Sequence, residues 1–398
     1  MSQTPTSDEL RNGLVDEILS TGQVPADVEG AMRTVPREAF LPGIELKNAY
    51  TDQAVAIKDN PDGPQPLSCA SVPSVVAMML AQLNAQRGDN ILEIGAGTGY
   101  NAALLAELVG DGAVTTIDID SDVALHARGT LNRAGYEHVT VIERDGLLGD
   151  RRNAPYNRII ATVGVWDIPR AWWGQLEEGG RLVLPLRWRG QTRSVALTRR
   201  GDSLVSDGMQ LCGFVPIIGQ GGEKMASLNA DGTLRIHYDE DQAVEPYALT
   251  NTLDDASCLE QWSAQRIGGE ESFDGVWLRA TASDDRVCRL EVTPEAVDKD
   301  LVRKPAVPSR SPALVEGDSL AYLIVHREGV DSQRPFQLGA AAYGPRGGLL
   351  ARDLIAHIDA WDEARDAVPT MRITPSRAAE KTTGHVIAKP ESRITLTY

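Results

Sequence analysis

Ile91-Leu92-Glu93-Ile94-Gly95-Ala96-Gly97-Thr98-Gly99-Tyr100 decides the fold. Four mostly apolar residues have the length of a buried strand, three glycines follow at alternate positions, and Tyr100 to Val109 has the Ala/Leu content of a helix. A strand, a glycine turn and a helix in that order form the carboxyl edge of an open α/β sheet, where ligands bind. Glycine is needed there because a Cβ would hold a ligand away from the backbone, and because tight turns use positive φ.

Reading outward, short apolar runs alternate with helical stretches: Val114 to Asp118, Val139 to Ile142, Arg158 to Thr162 and Arg181 to Pro185, with Val123 to Ala134 as a second crossover helix. That alternation predicts a parallel sheet covered on both faces. Asp118 ends the second strand, where a carboxylate accepts from both ribose hydroxyls, and Asp120 is the poorer candidate because it lies past the strand end. Asp145-Gly146 follows the third strand and is placed to accept from an adenine amino group. Glu93 before the first glycine would repel a pyrophosphate, and the glycine spacing is one residue shorter than the dinucleotide fingerprint. The pattern therefore favours S-adenosylmethionine. The cofactor set is Ser71, Glu93, Gly95, Ala96, Gly97, Thr98, Gly99, Asp118, Ile119, Asp145 and Gly146.

On the N-terminal side, Leu10, Leu14, Val15 and Ile18 recur at helical spacing behind Ser7 or Asp8 as the cap. A second helix begins near Pro25-Ala26-Asp27 and ends before Val35-Pro36. The Pro-, Asp- and Gly-rich stretch up to Pro73 reads as loop, and Val75 to Leu83 forms the next apolar stripe. Beyond Leu186, Ser194 to Leu197 and Cys212 to Ile218 read as antiparallel additions, and Gly219-Gln220-Gly221-Gly222 marks a boundary between domains 1–222 and 223–398. The second domain reads as mixed α+β. Its strand candidates are Leu234 to Tyr238, Val276 to Arg279, Leu320 to Val325 and Arg393 to Leu396, and one helix carries Leu349, Leu350, Leu354, Ile358 and Trp361.

The chain has 398 residues, with 56 acidic against 39 basic side chains and a net charge of −17. This balance disfavours a nucleic-acid or anionic-membrane partner. Met1-Ser2-Gln3-Thr4-Pro5 lacks a basic start with an apolar core, and no stretch is apolar for long enough to span a bilayer, which predicts a cytoplasmic protein. Cys69, Cys212, Cys258 and Cys288 are far apart and read as reduced, mostly buried thiols. Neither they nor His126, His138, His237, His326, His357 and His385 have metal-ligand spacing, so no metal site is expected.

Taken in order, several segments resemble the protein-L-isoaspartate O-methyltransferases. They are Arg11-Asn12, Val35-Pro36-Arg37-Glu38-Ala39-Phe40-Leu41-Pro42, Ala49-Tyr50, Ile91 to Tyr100, Arg144-Asp145-Gly146, Ala154 to Ile160, Ile168-Pro169, Gln175-Leu176 and Gly179 to Pro185. The resemblance covers about the first half of the chain. It implies a Rossmann-like S-adenosylmethionine-dependent methyltransferase fold, here followed by a C-terminal α+β domain, and a methyl acceptor that is the carboxylate of an isoaspartyl or altered aspartyl residue. The family's Thr-Ile-Ser loop corresponds to Cys69-Ala70-Ser71, followed by Val72-Pro73, so Ser71 keeps the hydroxyl and cysteine replaces the threonine. Thr162-Val163-Gly164 stands where small alanines are usual, and Asn157 replaces a common Asp.

Ser71 is the catalytic candidate, orienting the acceptor carboxylate, with capping of the helix at Pro73 as its alternative role. No general base is needed, because a carboxylate is ionised at pH 7. The acceptor side is assigned to Cys69, Ala70, Ser71, Val163, Gly164 and Trp166. Trp172 and Trp173 read as packing residues, Asp239-Glu240-Asp241 as a solvated turn, and Asp298 to Lys304 as a mixed-charge run able to touch an acidic peptide.

A second domain of nearly equal size suggests a dedicated peptide partner. Leu314 to Tyr322 and Gly339 to Gly348 look like the extension of homologues found with ribosomal peptide natural products such as lanthipeptides, graspetides and lasso peptides. That resemblance implies esterification of an aspartate in a macrocyclised precursor peptide, leading to succinimide (aspartimide) or isoaspartate. Repair of isoaspartyl sites in damaged proteins is the alternative.

Overall fold

A computed structural model describes residues 5–58, 66, 68–255, 257–327, 333–377 and 384–398. Residues 1–4 of the opening run, and 59–65 and 67 of the Pro/Asp/Gly-rich stretch, lie outside the described residues. The chain divides into two compact units: Met1–Leu186 with Thr192–Gln220, and Arg187–Gln191 with Gly221–Tyr398.

The first unit begins with helices α1 (Ser7–Thr21) and α2 (Ala26–Thr34). The cap of α1 is Thr6, one residue before the expected pair: its hydroxyl accepts from the Glu9 N–H while the Glu9 carboxylate accepts from the Thr6 N–H, a reciprocal capping box. The expected loop before Pro73 is more ordered than its composition suggests. It contains a 3-10 turn (Arg37–Phe40), the short helix α3 (Leu46–Ala49) and the antiparallel pair β1 (Val55–Lys58) and β2 (Ser68–Ala70). Apolar side chains such as Phe40, Leu41 and Ala49 pull it onto the core.

Helix α4 (Pro73–Leu83) leads into β3 (Asn90–Ile94), α5 (Tyr100–Val109), β4 (Ala113–Asp118), α6 (Ser121–Arg133), β5 (Thr140–Glu143), β6 (Tyr156–Ala161), α7 (Arg170–Gln175), β7 (Leu176–Trp188), β8 (Gln191–Arg200) and β9 (Ser203–Leu211). The strands are ordered β9-β8-β7-β6-β3-β4-β5. The pairs β3–β4, β3–β6, β4–β5 and β6–β7 are parallel, and β8–β9 is antiparallel. Ile91, Leu92 and Ile94 are buried on both faces of the centre of this sheet, as a doubly covered parallel strand requires. The antiparallel addition after β8 is β9. The expected strand Cys212 to Ile218 is instead an irregular segment, touching the sheet through one parallel bridge from Pro216 to Gly164. Pro216 has no N–H to continue a ladder.

In the second unit, β10 (Glu223–Ser227), β11 (Leu234–Asp239), β12 (Leu259–Ile267), β13 (Val287–Val292), β14 (Ser311–Glu316), β15 (Ser319–Arg327) and β16 (Phe336–Tyr343) form an antiparallel sheet ordered β10-β11-β13-β14-β15-β16-β12. Leu350, Leu354, Ile358 and Trp361 of a helix over Gly347–Asp362 pack on it with Trp277 and Leu323. Val276 to Arg279, expected as a strand, lies in a helix over Asp274–Thr281. Four residues with one charge cannot separate the two periodicities.

Asp239 is not part of a solvated turn. It is 1% exposed and its carboxylate accepts from the backbone N–H of Arg189 at 2.9 Å, while Arg189, also buried, pairs with Asp241 at 2.6 Å and Asp285 at 3.0 Å. Among the described residues no helix is long and apolar enough to cross a membrane. Cys212 and Cys288 are buried, Cys69 is half-buried and Cys258 is exposed, all as free thiols.

Candidate active site

A cleft in the first unit follows the carboxyl ends of β3, β4 and β6. Its floor is the glycine turn. Gly95, at φ +99, donates its N–H to the Ile117 carbonyl at 2.8 Å, and a Cβ there would lie 2.6 Å from Thr162 Oγ1. Gly97 and Gly99 also have positive φ, and Gly99 is the residue from which α5 starts. Only glycine takes this succession without strain. Ala96, Gly97 and Thr98 line the cleft beside Gly95.

Asp118 stands at the end of β4 and joins its strand to that turn. Oδ2 accepts from the Gly97 N–H at 3.2 Å, and Oδ1 accepts from the Asp120 N–H at 3.1 Å. A carboxylate has about four lone-pair sites, so two such bonds leave it able to accept from ligand hydroxyls. Burial pushes its carboxyl up from the ordinary value, against the backbone N–H groups of Asp120, Gly97 and Ala96 that pull it down. Asp120 also lines the cleft but is otherwise engaged: it caps α6 and pairs with Lys58 at 2.5 Å, and that lysine holds its carboxyl below the ordinary value. Ile119 is 42% exposed on the same wall.

Asp145 and Gly146 close the adjacent corner. Asp145 Oδ1 accepts from the Leu147 N–H at 2.9 Å, and the Gly146 carbonyl accepts from Trp172 Nε1 at 2.9 Å. Gly146 has to be small, since a Cβ would sit 2.6 Å from Ile94.

On the opposite wall, Cys69, Ala70 and Ser71 run from β2 toward α4. Helix α4 has no side-chain cap, and the Ser74 N–H goes to Asp52 at 2.8 Å, so the alternative capping role of Ser71 is absent. Burial pushes the Cys69 thiol up, against the pull of the Arg37 charge. Val163 and Thr162 complete the wall at the end of β6, where the Thr162 hydroxyl donates to the Gly95 carbonyl at 2.7 Å.

Four expected site residues do not line the cleft, Gly99 among them as the residue that caps α5. Glu93 is fully buried behind the turn and lines no part of the cleft; its Oε1 accepts from Asn101 at 2.7 Å, and burial pushes its carboxyl up to about 7. Trp166 is 4% exposed and packed away from the cleft, with its backbone N–H on Gln220 Oε1 at 2.7 Å. Gly164 contributes backbone only: its N–H donates to Val215 at 2.7 Å and its carbonyl accepts from Ile217 at 2.9 Å. Those two bonds hang Phe214 to Ile218 over the cleft, an apolar wall that the sequence read as a strand. Arg37, 1% exposed, is a further lining residue that the sequence did not single out as a site residue.

Comparison with known proteins agrees with this geometry. The family model described as protein-L-isoaspartate(D-aspartate) O-methyltransferase matches residues 9–222. The chain is 38% identical to a protein-L-isoaspartate O-methyltransferase of Hyperthermus butylicus over 57% of its own length and 95% of the relative's. It is 37% identical to one of Methanoregula boonei over 55% of its length and 96% of the relative's. A solved structure titled protein-L-isoaspartate O-methyltransferase covers 97% of this chain and 99% of its own, at 19% identity and a TM-score of 0.50, a likeness of fold alone. The glycine turn, the strand-end carboxylates and the matched family together place the chain in the protein-L-isoaspartate O-methyltransferase family, a group of S-adenosylmethionine-dependent carboxyl methyltransferases.

Proposed function

We propose that the protein repairs damaged proteins by methylating the free carboxylate of isoaspartyl residues in exposed, flexible segments of cytoplasmic proteins. The observation that carries this reading is the family match over residues 9–222, which contains every residue of the cleft. When bound, S-adenosylmethionine supplies an electrophilic methyl group. Asp118 would hold its ribose, Asp145 and Gly146 its adenine edge beneath Ile217, and the backbone from Gly95 to Thr98 its amino-acid end. The turn is open over Gly97, where a Cβ would have only the Cys69 carbonyl near it, at 3.9 Å.

Ser71 orients the acceptor. Its hydroxyl donates to one carboxylate oxygen and leaves the other in line with the methyl, at about 3 to 3.5 Å, a pre-organisation of roughly 7 to 11 kcal/mol. The peptide product is a methyl ester. The next residue's backbone nitrogen displaces methanol from it, forming a succinimide that water reopens to aspartate or isoaspartate.

Residues 1–222 form the catalytic domain in this reading, and residues 223–398 recognise the polypeptide substrate. A second reading, tailoring of an aspartate in a macrocyclised ribosomal precursor, draws support from the part of the chain beyond residue 222 that the family model does not match, and from cysteine at position 69. The extension is weak support, since a solved structure bearing the family's title spans 97% of this chain. Incubation with radiolabelled S-adenosylmethionine and paired isoaspartyl and aspartyl peptides separates the two. Repair predicts base-labile label on the isoaspartyl peptide at least tenfold above its aspartyl twin. Label confined to an aspartyl macrocycle overturns repair in favour of tailoring.

A further inference from the structure

Arg37 is a buried cation with no described carboxylate in direct contact, the Asp52 carboxylate acting on it only from farther off. It is 1% exposed, yet among the described residues it forms no ion pair. Nε donates to the Ala49 carbonyl at 3.0 Å and Nη2 to the Ser71 carbonyl at 3.0 Å, and the guanidinium lies 5.1 Å from the centre of the Tyr100 ring. Nη1 is buried and has no hydrogen-bond partner. A charge removed from water normally requires a partner of opposite sign and full hydrogen bonding, and neutral carbonyls supply neither. The same side chain lines the cleft, beside Cys69 and Ser71.

We propose that Arg37 is the recognition residue for the acceptor carboxylate, its guanidinium attracting the anion by charge from the wall it shares with Cys69 and Ser71. This deepens the methyl-transfer reading and rests on it. A carboxylate in this cleft has two sources, the acceptor and the amino-acid end of the coenzyme. The coenzyme's carboxylate shares its carbon with an ammonium and brings no net charge, whereas an isoaspartyl carboxylate brings a full negative one. Arg37 is also bonded to the carbonyl of Ser71, the residue that orients the acceptor. A second positive charge near the sulfonium makes the cleft select an anion, so an amide of the same shape is refused. Arg37 thereby becomes a specificity determinant for carboxylate over amide.

The test begins with the unmodified protein saturated with S-adenosylhomocysteine. An isoaspartyl peptide and its isoasparaginyl amide twin compete for binding, and the carboxylate should win by thirtyfold or more; equality within threefold overturns the proposal. In Arg37→Gln the preference should fall below threefold while S-adenosylhomocysteine affinity stays within threefold, and Arg37→Lys should keep part of the preference. A tenfold loss of S-adenosylhomocysteine affinity with the preference intact assigns the charge to the coenzyme and overturns the proposal. Binding discrimination without any methyl transfer by the unmodified protein sinks the methyl-transfer reading instead.

Discussion

The Asp118 carboxylate accepts from the backbone N–H of Gly97 at 3.2 Å, so the end of β4 and the glycine turn after β3 are held as one surface. The coupling makes Asp118 the residue on which coenzyme affinity should depend most. Asp118→Ala removes the brace on the turn together with the proposed ribose acceptor. S-adenosylhomocysteine affinity should fall tenfold or more by calorimetry, with kcat at saturating coenzyme changed much less.

Ser71→Ala should behave in the opposite way. Its hydroxyl caps no helix, so the melting temperature should stay within about 2 °C. If Ser71 donates to the acceptor carboxylate as proposed, its loss should lower kcat roughly 10- to 100-fold, with S-adenosylhomocysteine affinity within threefold. Full activity in this variant removes Ser71 from the mechanism.

Glu93 makes a pH prediction. Burial raises its carboxyl from 4.5 to about 7, so the folded protein holds this proton more tightly than the unfolded chain does. The stabilisation is full below pH about 4.5 and disappears as the pH rises through about 7. Glu93→Gln has a neutral isostere at every pH. Urea unfolding at pH 5.5 and 8.5 should therefore show wild type losing about 2 kcal/mol relative to the variant on going to the higher pH. A difference that does not change with pH contradicts the burial of this carboxyl.

In the second unit, Asp239 and Asp285 both face Arg189 but differ in exposure, 1% against 67% for the side chains. Asp239→Ala strips a buried acceptor from the Arg189 backbone and should cost about 2 to 4 kcal/mol in chemical unfolding. Asp285→Ala should cost about 1 kcal/mol or less.

What the sequence disclosed was local. Ile91 to Tyr100, Asp118 and Asp145-Gly146 follow rules of strand, turn and helix that act within a few residues, and the cleft positions of Gly95 to Thr98, Asp118 and Asp145-Gly146 could be read directly. Partners far apart in the chain stayed hidden. Asp239 reads as a surface charge until Arg189, 50 residues earlier, is seen to cover it. Arg37 reads as a loop residue until the carbonyls of Ala49 and Ser71 are found around it. Phe214 to Ile218 has the apolar run of a strand, and Gly213 with Pro216 was the available sign that it would bend over the cleft instead. Trp166 shows the converse error: an aromatic near a strand end is more often packing than a ligand platform.

The central claim is that this cleft binds the methyl donor through a bare glycine turn braced by Asp118. Calorimetric titration of folded wild-type protein with S-adenosylhomocysteine tests it most directly. The account predicts saturable binding at one site per chain, weakened at least tenfold in Asp118→Ala. A folded protein that takes up none of it, or an Asp118→Ala variant that binds as tightly as wild type, would contradict it.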